Sequence, residues 1–568
     1  MTKRSAQLLL TVGSIISAST LAACGGSSSG GTPPAIFSPP PPPPTSSDPT
    51  FTKGVFEASD KFVARCEAPR SGTDPDGQRY PDTAGSTLLE KFWLRSWSNE
   101  TYLWNTEIED VNPNSIASRT AYFDVLKSNE LSETGSGKEK DDFHFSESTE
   151  DFFARRNSDA ESGYGVRFAS IGPRDADGRS ITPRDFRILY TEPNSPASDV
   201  VAGNVNFPRG ARILEVDGAD LVNGNDTTTL NNGLFPALAG ETHTFKIREA
   251  ITNEERTVTL TSKDIAPEPV NRTEIIDTDS GKVGYILFNT FSPFESEKSL
   301  ADAFTLLSNE NVDDLVLDLR YNGGGLVAIA AQLGYMIAGP TRTAGKTAVL
   351  LQYNEAAGNR NPIDGTVVEP IPFIDEGLGF SVPVPTDDTK LDTVDLPRVF
   401  ILSTGGTCSA SELVLNSLRG IDYEVILIGD TTCGKPYGFL PTDNCGQTYY
   451  TIQFQSVNEK GEGDYSDGFS PMESNDQFSK KFPGCSVPDD LTRELGDERE
   501  ALLATALYYR DNGSCPITSS KPSAAFQSKM RKAVSVSTNN ENTLTLRDDP
   551  FVFSADSYLD ATMPGGEK

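Results

Sequence analysis

An apolar run, Val399-Phe-Ile-Leu402, is followed by the small residues Ser403 to Thr407 and then by Cys408-Ser409-Ala410-Ser411-Glu412. The apolar run predicts a buried strand, and the pattern from Glu412 to Leu418 predicts the helix that follows it. Ser409 is therefore expected at a strand-to-helix turn, where a helix N-terminus offers free N–H groups and positive dipole. A hydroxyl in that position is a candidate nucleophile.

A second apolar strand, Val425-Ile-Leu-Ile428, leads to Thr432-Cys433-Gly434-Lys435 on a glycine-bounded loop. A serine needs a base to attack a carbonyl, and a buried lysine is such a base in its neutral form. We interpret Ser409 and Lys435 as a nucleophile–base dyad, whose activity should fall at low pH as the amine is protonated. Ser411 is a competing nucleophile, but its place in the first helical turn favours a capping or packing role.

Upstream of the serine the sequence alternates predicted strands and helices. Leu315-Val-Leu-Asp-Leu319 predicts a strand with both faces buried, and it leads into Arg320-Tyr-Asn-Gly-Gly-Gly325. A triple glycine at the end of a buried strand lets the backbone approach a ligand, and its amides can face an oxyanion. A phosphate loop is excluded because its Lys-Ser/Thr ending is missing. The accompanying elements are a strand at Val283 to Phe288 and helices at Leu300 to Leu307 and Leu326 to Ile337.

Residues from about 160 to 265 predict short strands and turns with one brief helix. Gly163-Tyr164-Gly165-Val166 comes first, a helix is expected from Ser195-Pro-Ala to Ala202-Gly203, and Gly210 to Gly218 predicts a strand and a turn. Strands are predicted at His243 to Arg248 and Thr257 to Leu260. The segment resembles a PDZ domain, which implies that Tyr164, Gly165 and Val166 receive a peptide C-terminus through backbone N–H groups. The alternative is a PDZ-like spacer that binds nothing.

Three motifs in order resemble those of the C-terminal-processing (tail-specific) serine peptidases: Asp318-Leu-Arg-Tyr-Asn-Gly-Gly-Gly325, Ser409-Ala-Ser-Glu412 and Gly429-Asp-Thr-Thr-Cys-Gly-Lys435. The resemblance spans roughly residues 86 to 515. It implies an α/β catalytic domain of the crotonase/ClpP-like type, built of stacked ββα units, in a multidomain α+β chain with a PDZ domain and an N-terminal helical region.

The same resemblance implies the roles of the site residues. Ser409 would be the nucleophile, Lys435 the general base, and the amides of Gly324 and Ala410 the oxyanion donors, with Gly325 as the alternative to Gly324. The chain departs from the family in carrying Phe439 where relatives often place Gln or Glu four residues after the lysine. Thr431 or Thr432 could then orient the amine.

The two histidines of the chain are alternative candidates for the general base. A related group of peptidases uses a histidine, but His243 lies in a predicted PDZ strand, which leaves His144 as the sole candidate. His144 lies far from the serine in sequence, and a structural role is the better interpretation.

The N-terminus predicts an exported lipoprotein. Lys3 and Arg4 precede a short apolar stretch, Leu8 to Ile16, and then Leu21-Ala-Ala-Cys24, which resembles a bacterial lipobox. The alternative is an ordinary cleaved signal with a chance cysteine. Lipidation of Cys24 would anchor the chain in the envelope of a Gram-negative bacterium, and Gly25 favours the outer membrane, with the protein facing the periplasm or exposed at the surface.

Six cysteines remain after Cys24, and an oxidising compartment suggests up to three disulfides. If Ser409 and Lys435 touch, a Cys408–Cys433 bridge would join their two loops; the alternative is two buried free thiols. Elimination leaves Cys445–Cys485 and Cys66–Cys515. The residues offer no zinc site, since no CxxC pair exists and histidines are almost absent, and the expected chemistry needs no cofactor.

The chain has 49 Lys+Arg against 81 Asp+Glu, so its formal charge is −32 and nucleic acid is an improbable partner. The sequence predicts a serine endopeptidase acting on proteins with exposed C-termini. The alternative is a catalytically silent, lipid-anchored PDZ adaptor, and oligomeric state cannot be read from the sequence. The expected segments are a signal peptide (1–24), a Gly/Ser/Pro-rich linker (25–54), an N-terminal helical region (55–155), a PDZ-like domain (156–265), a peptidase domain (266–515) and a polar tail (516–568).

Overall fold

The computed structural model describes residues 48–157, 160–171, 182–380 and 390–517. The predicted signal peptide with Cys24, most of the linker and the polar tail with its predicted strand at Thr543 to Leu546 lie outside these residues. Within them, no helix combines the length and the apolar character needed to cross a membrane.

The central element is a six-stranded sheet, whose strands in spatial order are β14 (Val270–Thr278), β15 (Gly281–Phe288), β16 (Asp314–Asp318), β19 (Arg398–Ser403), β20 (Glu424–Gly429) and β27 (Gly484–Ser486). β14 runs antiparallel to β15, and the other neighbouring strands are parallel. This arrangement follows the predicted alternation of strands and helices. The elements of this part are β14 (Val270–Thr278), β15 (Gly281–Phe288), α5 (Glu295–Glu310), β16 (Asp314–Asp318), α6 (Val327–Thr343), β17 (Thr347–Gln352), β18 (Ile371–Pro372), β19 (Arg398–Ser403), α7 (Ala410–Gly420), β20 (Glu424–Gly429), β21 (Tyr437–Gly438), β22 (Thr442–Asn444), β23 (Gln447–Tyr450), β24 (Phe454–Val457), β25 (Phe469–Pro471), β26 (Lys480–Phe482), β27 (Gly484–Ser486) and α8 (Ala501–Asn512).

Both faces of this sheet are covered, which is why its strands are apolar throughout. Alternate residues such as Leu317 and Ile401 pack against α5, α6 and α7 on one face. Their neighbours, such as Val316 and Leu402, pack on the other face against α8 and side chains of the preceding region. The carboxyl ends of β16, β19 and β20 meet at one edge, where ligands of parallel sheets usually bind.

The region from 160 to 265 forms a separate antiparallel sheet. Its strands in spatial order are β12 (Glu255–Thr261), β11 (Thr242–Arg248), β9 (Arg212–Val216), β6 (Phe186–Thr191) and β5 (Val166–Ser170), with β5 at the edge. The predicted strands are found, but the predicted helix at Ser195 to Ala202 is wrong: the chain makes a turn there and then the β7–β8 hairpin. A helix not predicted, α4, packs Leu230 and Leu234 into the core of this sheet. The elements are β4 (Glu161–Gly163), β5 (Val166–Ser170), β6 (Phe186–Thr191), β7 (Val200–Val201), β8 (Asn204–Val205), β9 (Arg212–Val216), β10 (Ala219–Asp220), α4 (Thr227–Leu234), β11 (Thr242–Arg248), β12 (Glu255–Thr261) and β13 (Lys263–Ile265).

The N-terminal region packs on the sheet domain through its aromatic residues. Trp93 and Trp97 stack with ring centroids 5.1 Å apart, and both rings lie against Tyr449 of β23. β3 extends the same contact because it pairs with β23. The elements are β1 (Arg65–Cys66), β2 (Thr83–Ala84), α1 (Thr87–Thr101), α2 (Arg119–Phe123), β3 (Phe145–Ser148) and α3 (Thr149–Arg156).

Three disulfides are present among the described residues. Cys408–Cys433 is confirmed as predicted. The two pairs assigned by elimination are wrong: the bridges are Cys66–Cys445, across 379 residues, and Cys485–Cys515. The first joins the N-terminal region to the loop before β23, and the second fixes the end of α8 to β27.

Candidate active site

Ser409 occupies the turn between β19 and α7 that the sequence predicts. Its backbone has φ 55° and ψ −113°, a conformation that a residue with a side chain rarely adopts. The residue is only 3% exposed. The turn is held by the chain on both sides, since the Cys408 N–H donates to the Asn322 carbonyl and the Leu413 N–H to the Ser409 carbonyl.

A buried carboxylate, Glu412, joins the Ser409 turn to the Lys435 loop. Its side chain accepts hydrogen bonds from the backbone N–H groups of Ser409 at 3.1 Å, and of Gly434 and Lys435 at 2.8 Å each. The Thr432 hydroxyl donates a fourth bond at 2.5 Å. Burial raises the pKa of the Glu412 carboxyl, and these four donors oppose that shift by stabilising its ionised form. Glu412 thus ties the backbones of both candidate catalytic residues to one point.

The Cys408–Cys433 disulfide makes a second connection between the same two loops. Its Cα atoms lie 5.2 Å apart, and Cys408 and Cys433 lie within two residues of Ser409 and Lys435. Lys435 is 5% exposed, and its Nζ lies 4.0 Å from the ring centroid of Phe439 and 5.1 Å from that of Phe143. The structure therefore places the lysine amine beside two aromatic rings, on a loop that is bridged to the Ser409 turn.

The glycine turn after β16 lies directly against Ser409. A Cβ atom on Gly324 would stand 2.7 Å from the Ser409 Cβ and 2.9 Å from the Ala410 nitrogen, so only glycine fits there. Gly324 has φ 113° and Gly325 φ 137°, both in the region that favours glycine. The Gly324 N–H donates to the Asn322 side-chain oxygen at 2.9 Å, so this amide already has an acceptor in the structure.

A network of buried charges fixes the position of this turn. Asp318 and Glu500 both bind the Arg320 guanidinium, at 2.8 Å and 2.9 Å. Asp489 binds Arg320 at 2.8 Å and also Arg209 of the preceding sheet at 2.7 Å. Because every charge in the network has a partner, the strand end that leads into the glycine turn is rigidly placed.

Neither histidine is arranged as a base for Ser409. The His144 ring is buried, its Nε2–H donates to the Phe123 carbonyl at 2.9 Å, and its Nδ1 lies 3.2 Å from the Thr451 hydroxyl. Burial lowers the pKa of His144 to about 4. His243 lies on β11, where its Nδ1 is 2.6 Å from an Asp217 carboxylate oxygen. These contacts support the structural interpretation of both side chains.

The predicted peptide-binding residues lie at the start of β5. The Tyr164 side chain is buried, and its hydroxyl donates to the Gly233 carbonyl of α4 at 2.9 Å. Gly165 has φ 68° and accepts the Glu192 N–H, and Val166 begins the edge strand. The tyrosine side chain therefore belongs to the core of this sheet, and the strand that follows it lies at the sheet edge.

Two contributors to the site were not predicted. Glu412 was assigned only to the helix, although a serine followed three residues later by a glutamate is the pattern of a capping box, and the structure contains one. Phe143 comes from the N-terminal region, and no local pattern indicated it. The Ser411 hydroxyl donates to the Asn322 carbonyl at 3.0 Å, in line with the predicted packing role, and Thr432 binds Glu412.

Residues 282–439 match the model of peptidase family S41. This segment is similar to peptidase family S41. It contains the glycine turn, Ser409, Glu412 and Lys435, so the whole candidate site lies within the matched residues. None of the curated proteins matches the chain.

One solved structure shows the same fold, and a second has a lower similarity. A Bacteroides fragilis protein assigned as an S41 protease is 22% identical, with a TM-score of 0.55, over 77% of this chain and all of that one. A photosystem II D1 C-terminal processing protease is 18% identical, with a TM-score of 0.40, over 74% of this chain and all of that one.

Proposed function

We propose that the chain is a serine endopeptidase of the C-terminal-processing type that uses Ser409 as nucleophile and Lys435 as general base. One observation supports this most strongly: buried Glu412 accepts N–H groups from Ser409 and Lys435 at 3.1 Å and 2.8 Å, so two residues 26 positions apart share one anchor. A purely structural turn would not need a strained serine and a buried lysine at one carboxylate.

In the proposed reaction the neutral amine of Lys435 takes the proton of the Ser409 hydroxyl as the oxygen attacks the scissile carbonyl. The carbonyl oxygen becomes an oxyanion, which the Ala410 N–H and an amide of the glycine turn stabilise. Gly324 supplies that amide only if its N–H leaves Asn322, and Gly325 is the alternative. The Lys435 ammonium then protonates the leaving amine, and water releases the acyl group from Ser409 by the reverse sequence.

Substrates are proposed to be proteins or peptides with exposed C-termini, which add as a strand beside β5. The edge position of β5 and the glycine at its start support this, because main-chain groups at a sheet edge bind extended peptides irrespective of sequence. Lipidation at Cys24 would keep the enzyme on the bacterial envelope. Periplasmic proteins would then be its substrates.

The test compares wild type, Ser409→Ala, Lys435→Ala and Ser411→Ala, all made without the signal sequence, on an unstructured protein with an apolar C-terminal tail. Loss of cleavage in the first two variants, with cleavage retained by Ser411→Ala, supports the dyad. Persistent cleavage in folded Ser409→Ala moves the chemistry to another residue. An inert wild type that still binds the tail supports the adaptor alternative instead.

A further inference from the structure

Two aromatic rings from distant parts of the chain flank the amine of Lys435. Phe439 stands on the lysine loop, is fully buried, and places its ring centroid 4.0 Å from Nζ. Phe143 belongs to the N-terminal region, and its ring centroid is 5.1 Å from the same atom. Both distances lie within the roughly 6 Å range over which a ring attracts a cation.

The segment that supplies Phe143 is fixed to the lysine loop on one side. Lys138 donates from its Nζ to the carbonyls of Cys433, at 2.5 Å, and Ser466, at 3.2 Å. The Phe143 N–H donates to the Asp141 carboxylate at 2.9 Å, and that carboxylate also accepts the Tyr102 hydroxyl at 2.7 Å. These hydrogen bonds fix the position of the segment that carries the Phe143 ring.

The same segment is fixed on its other side by strand pairing. Directly after Phe143 and His144 the chain becomes β3, which pairs with β23, only a short way beyond the lysine loop. Phe145 stacks on Tyr450 with centroids 4.2 Å apart. The N-terminal region and the lysine loop are therefore built as one unit.

We propose that Phe143 and Phe439 are positioning residues for the Lys435 amine, so that the N-terminal region completes the catalytic site. The proposal rests on the proposed function, in which that amine is the general base. The two rings limit where the amine can move and exclude water from it, and their faces favour its charged form.

A Phe→Leu change separates these effects. Leucine keeps an apolar side chain beside the amine, so water stays largely excluded, but it removes the negative face of the ring. Loss of the ring removes a stabilisation of the ammonium, and the amine should become neutral at lower pH.

Other charged groups lie near the lysine loop. Glu412 accepts the Lys435 backbone N–H from α7, Lys138 donates to the Cys433 carbonyl, and Asp142 directly precedes Phe143 in the chain. Burial raises the pKa of Asp142 to about 6, so an activity profile alone could report this carboxyl instead of the amine. Tyr437 stands on the lysine loop, and burial raises its pKa to about 12, outside the relevant range. The measurement must therefore observe Lys435 itself.

The experiment measures trace acetylation of the Lys435 amine by acetic anhydride across pH, with mass spectrometry of the Lys435 peptide. It is made in the full-length chain without its signal, with Ser409→Ala, so that no peptidase activity is required. Phe143→Leu and Phe439→Leu are each expected to lower the midpoint of labelling by about 0.4 to 1.5 pH units. Phe62→Leu changes a buried phenylalanine of the same N-terminal region whose ring packs on Phe92, and as the matched control it should leave the midpoint unchanged.

In chains that retain Ser409, the acid limb of the pH profile of kcat/KM should move to lower pH in both variants, by the same amount as the labelling midpoint. Labelling midpoints in both variants that equal that of the chain with Ser409→Ala alone, or an equal shift in Phe62→Leu, overturn the proposal while leaving the dyad intact. A shifted labelling midpoint in a chain without Lys435-dependent cleavage supports the aromatic contact and overturns the proposed function. The two failures are therefore distinguishable.

Discussion

The contacts of Glu412 lead to a quantitative prediction for Glu412→Gln. One carboxylate oxygen accepts from the Thr432 hydroxyl and the Gly434 N–H, and the other from the N–H groups of Ser409 and Lys435. Glutamine preserves the shape but replaces one oxygen with an NH2 group, which donates. With the NH2 group toward Ser409 and Lys435, two buried N–H donors face another donor. With the NH2 group on the other side, the Thr432 hydroxyl can turn to accept from it, and only the Gly434 N–H faces a donor.

The size of the effect follows from these contacts. A buried donor left without an acceptor costs about 1–3 kcal/mol, and the favoured orientation leaves one such N–H group, so we predict a loss of about 1–3 kcal/mol in the free energy of unfolding. Ser409 and Lys435 also lose part of their common anchor, and in the proposed mechanism a misplacement of about 1 Å lowers turnover by about a hundredfold. We expect kcat to fall by about that factor, with KM changed much less.

The assays are urea unfolding followed by far-UV circular dichroism and steady-state cleavage of an unstructured substrate. Glu297→Gln is the matched control, because Glu297 is also buried and accepts the N–H groups of Leu378 at 2.5 Å and Phe380 at 2.9 Å. The control should lose stability but keep its kcat. The reasoning is refuted if Glu412→Gln retains both wild-type stability and wild-type kcat, or if both variants lose kcat equally.

Three further predictions follow from the same structure. Gly324→Ala should lower kcat/KM at least about a hundredfold with little loss of expression, because the new Cβ would collide with Ser409; a variant within a few-fold of wild type would contradict the close approach. The double change Cys408→Ser with Cys433→Ser removes a bridge across 25 residues, and it should lower the free energy of unfolding by about 3 kcal/mol and reduce kcat. Urea unfolding and substrate cleavage measure the two effects. The control is the double change Cys485→Ser with Cys515→Ser, which should keep its kcat. Burial lowers the pKa of His144 to about 4, below its value of about 6.5 in the unfolded chain, so the stability that the neutral ring contributes is present above pH 6.5 and is lost as pH falls toward 4. Between pH 7.5 and pH 5 the free energy of unfolding of wild type, measured in urea, should fall by about 2 kcal/mol more than that of His144→Gln. Equal losses would show that His144 titrates normally.

Local patterns predicted most of the catalytic sheet. The strands at Val283, Leu315, Val399 and Val425 are long apolar runs, and these runs need no distant information to be recognised. The turn at Ser409 and the Cys408–Cys433 bridge followed from placing two motifs at one sheet edge. The motifs themselves are short, and their order along the chain made them interpretable.

The errors arose where tertiary packing decides the structure. The helix Thr227–Leu234 consists of threonine, asparagine, glycine and leucine, most of which are poor helix formers, and it is stabilised by Asp226 capping Thr229 and by burial of its two leucines. At Ser195 the chain forms a turn in which the Ser195 carbonyl accepts the N–H groups of Ser198 and Asp199. The chain then reverses into the β7–β8 hairpin instead of continuing as a helix.

Distant contacts could not be read from the sequence at all. Cys66 and Cys445 lie in regions with no shared pattern, and six cysteines allow fifteen pairings. Phe143 reaches Lys435 across almost three hundred residues, where the pairing of β3 with β23 and the contacts of Lys138 hold its segment. Such contacts depend on how whole regions pack, which no local window contains.

Acid-quenched mass spectrometry tests directly whether Ser409 becomes covalently acylated with Lys435 as its base. The full-length chain without its signal is mixed with an activated peptide ester, quenched within seconds, digested and mapped. We expect an acyl group on the Ser409 peptide in wild type, none in Ser409→Ala, and slow formation in Lys435→Ala that accelerates as an added small amine replaces the base. An acyl group on another residue, or substrate turnover by wild type with no covalent species at any time, would disprove the proposed roles of Ser409 and Lys435.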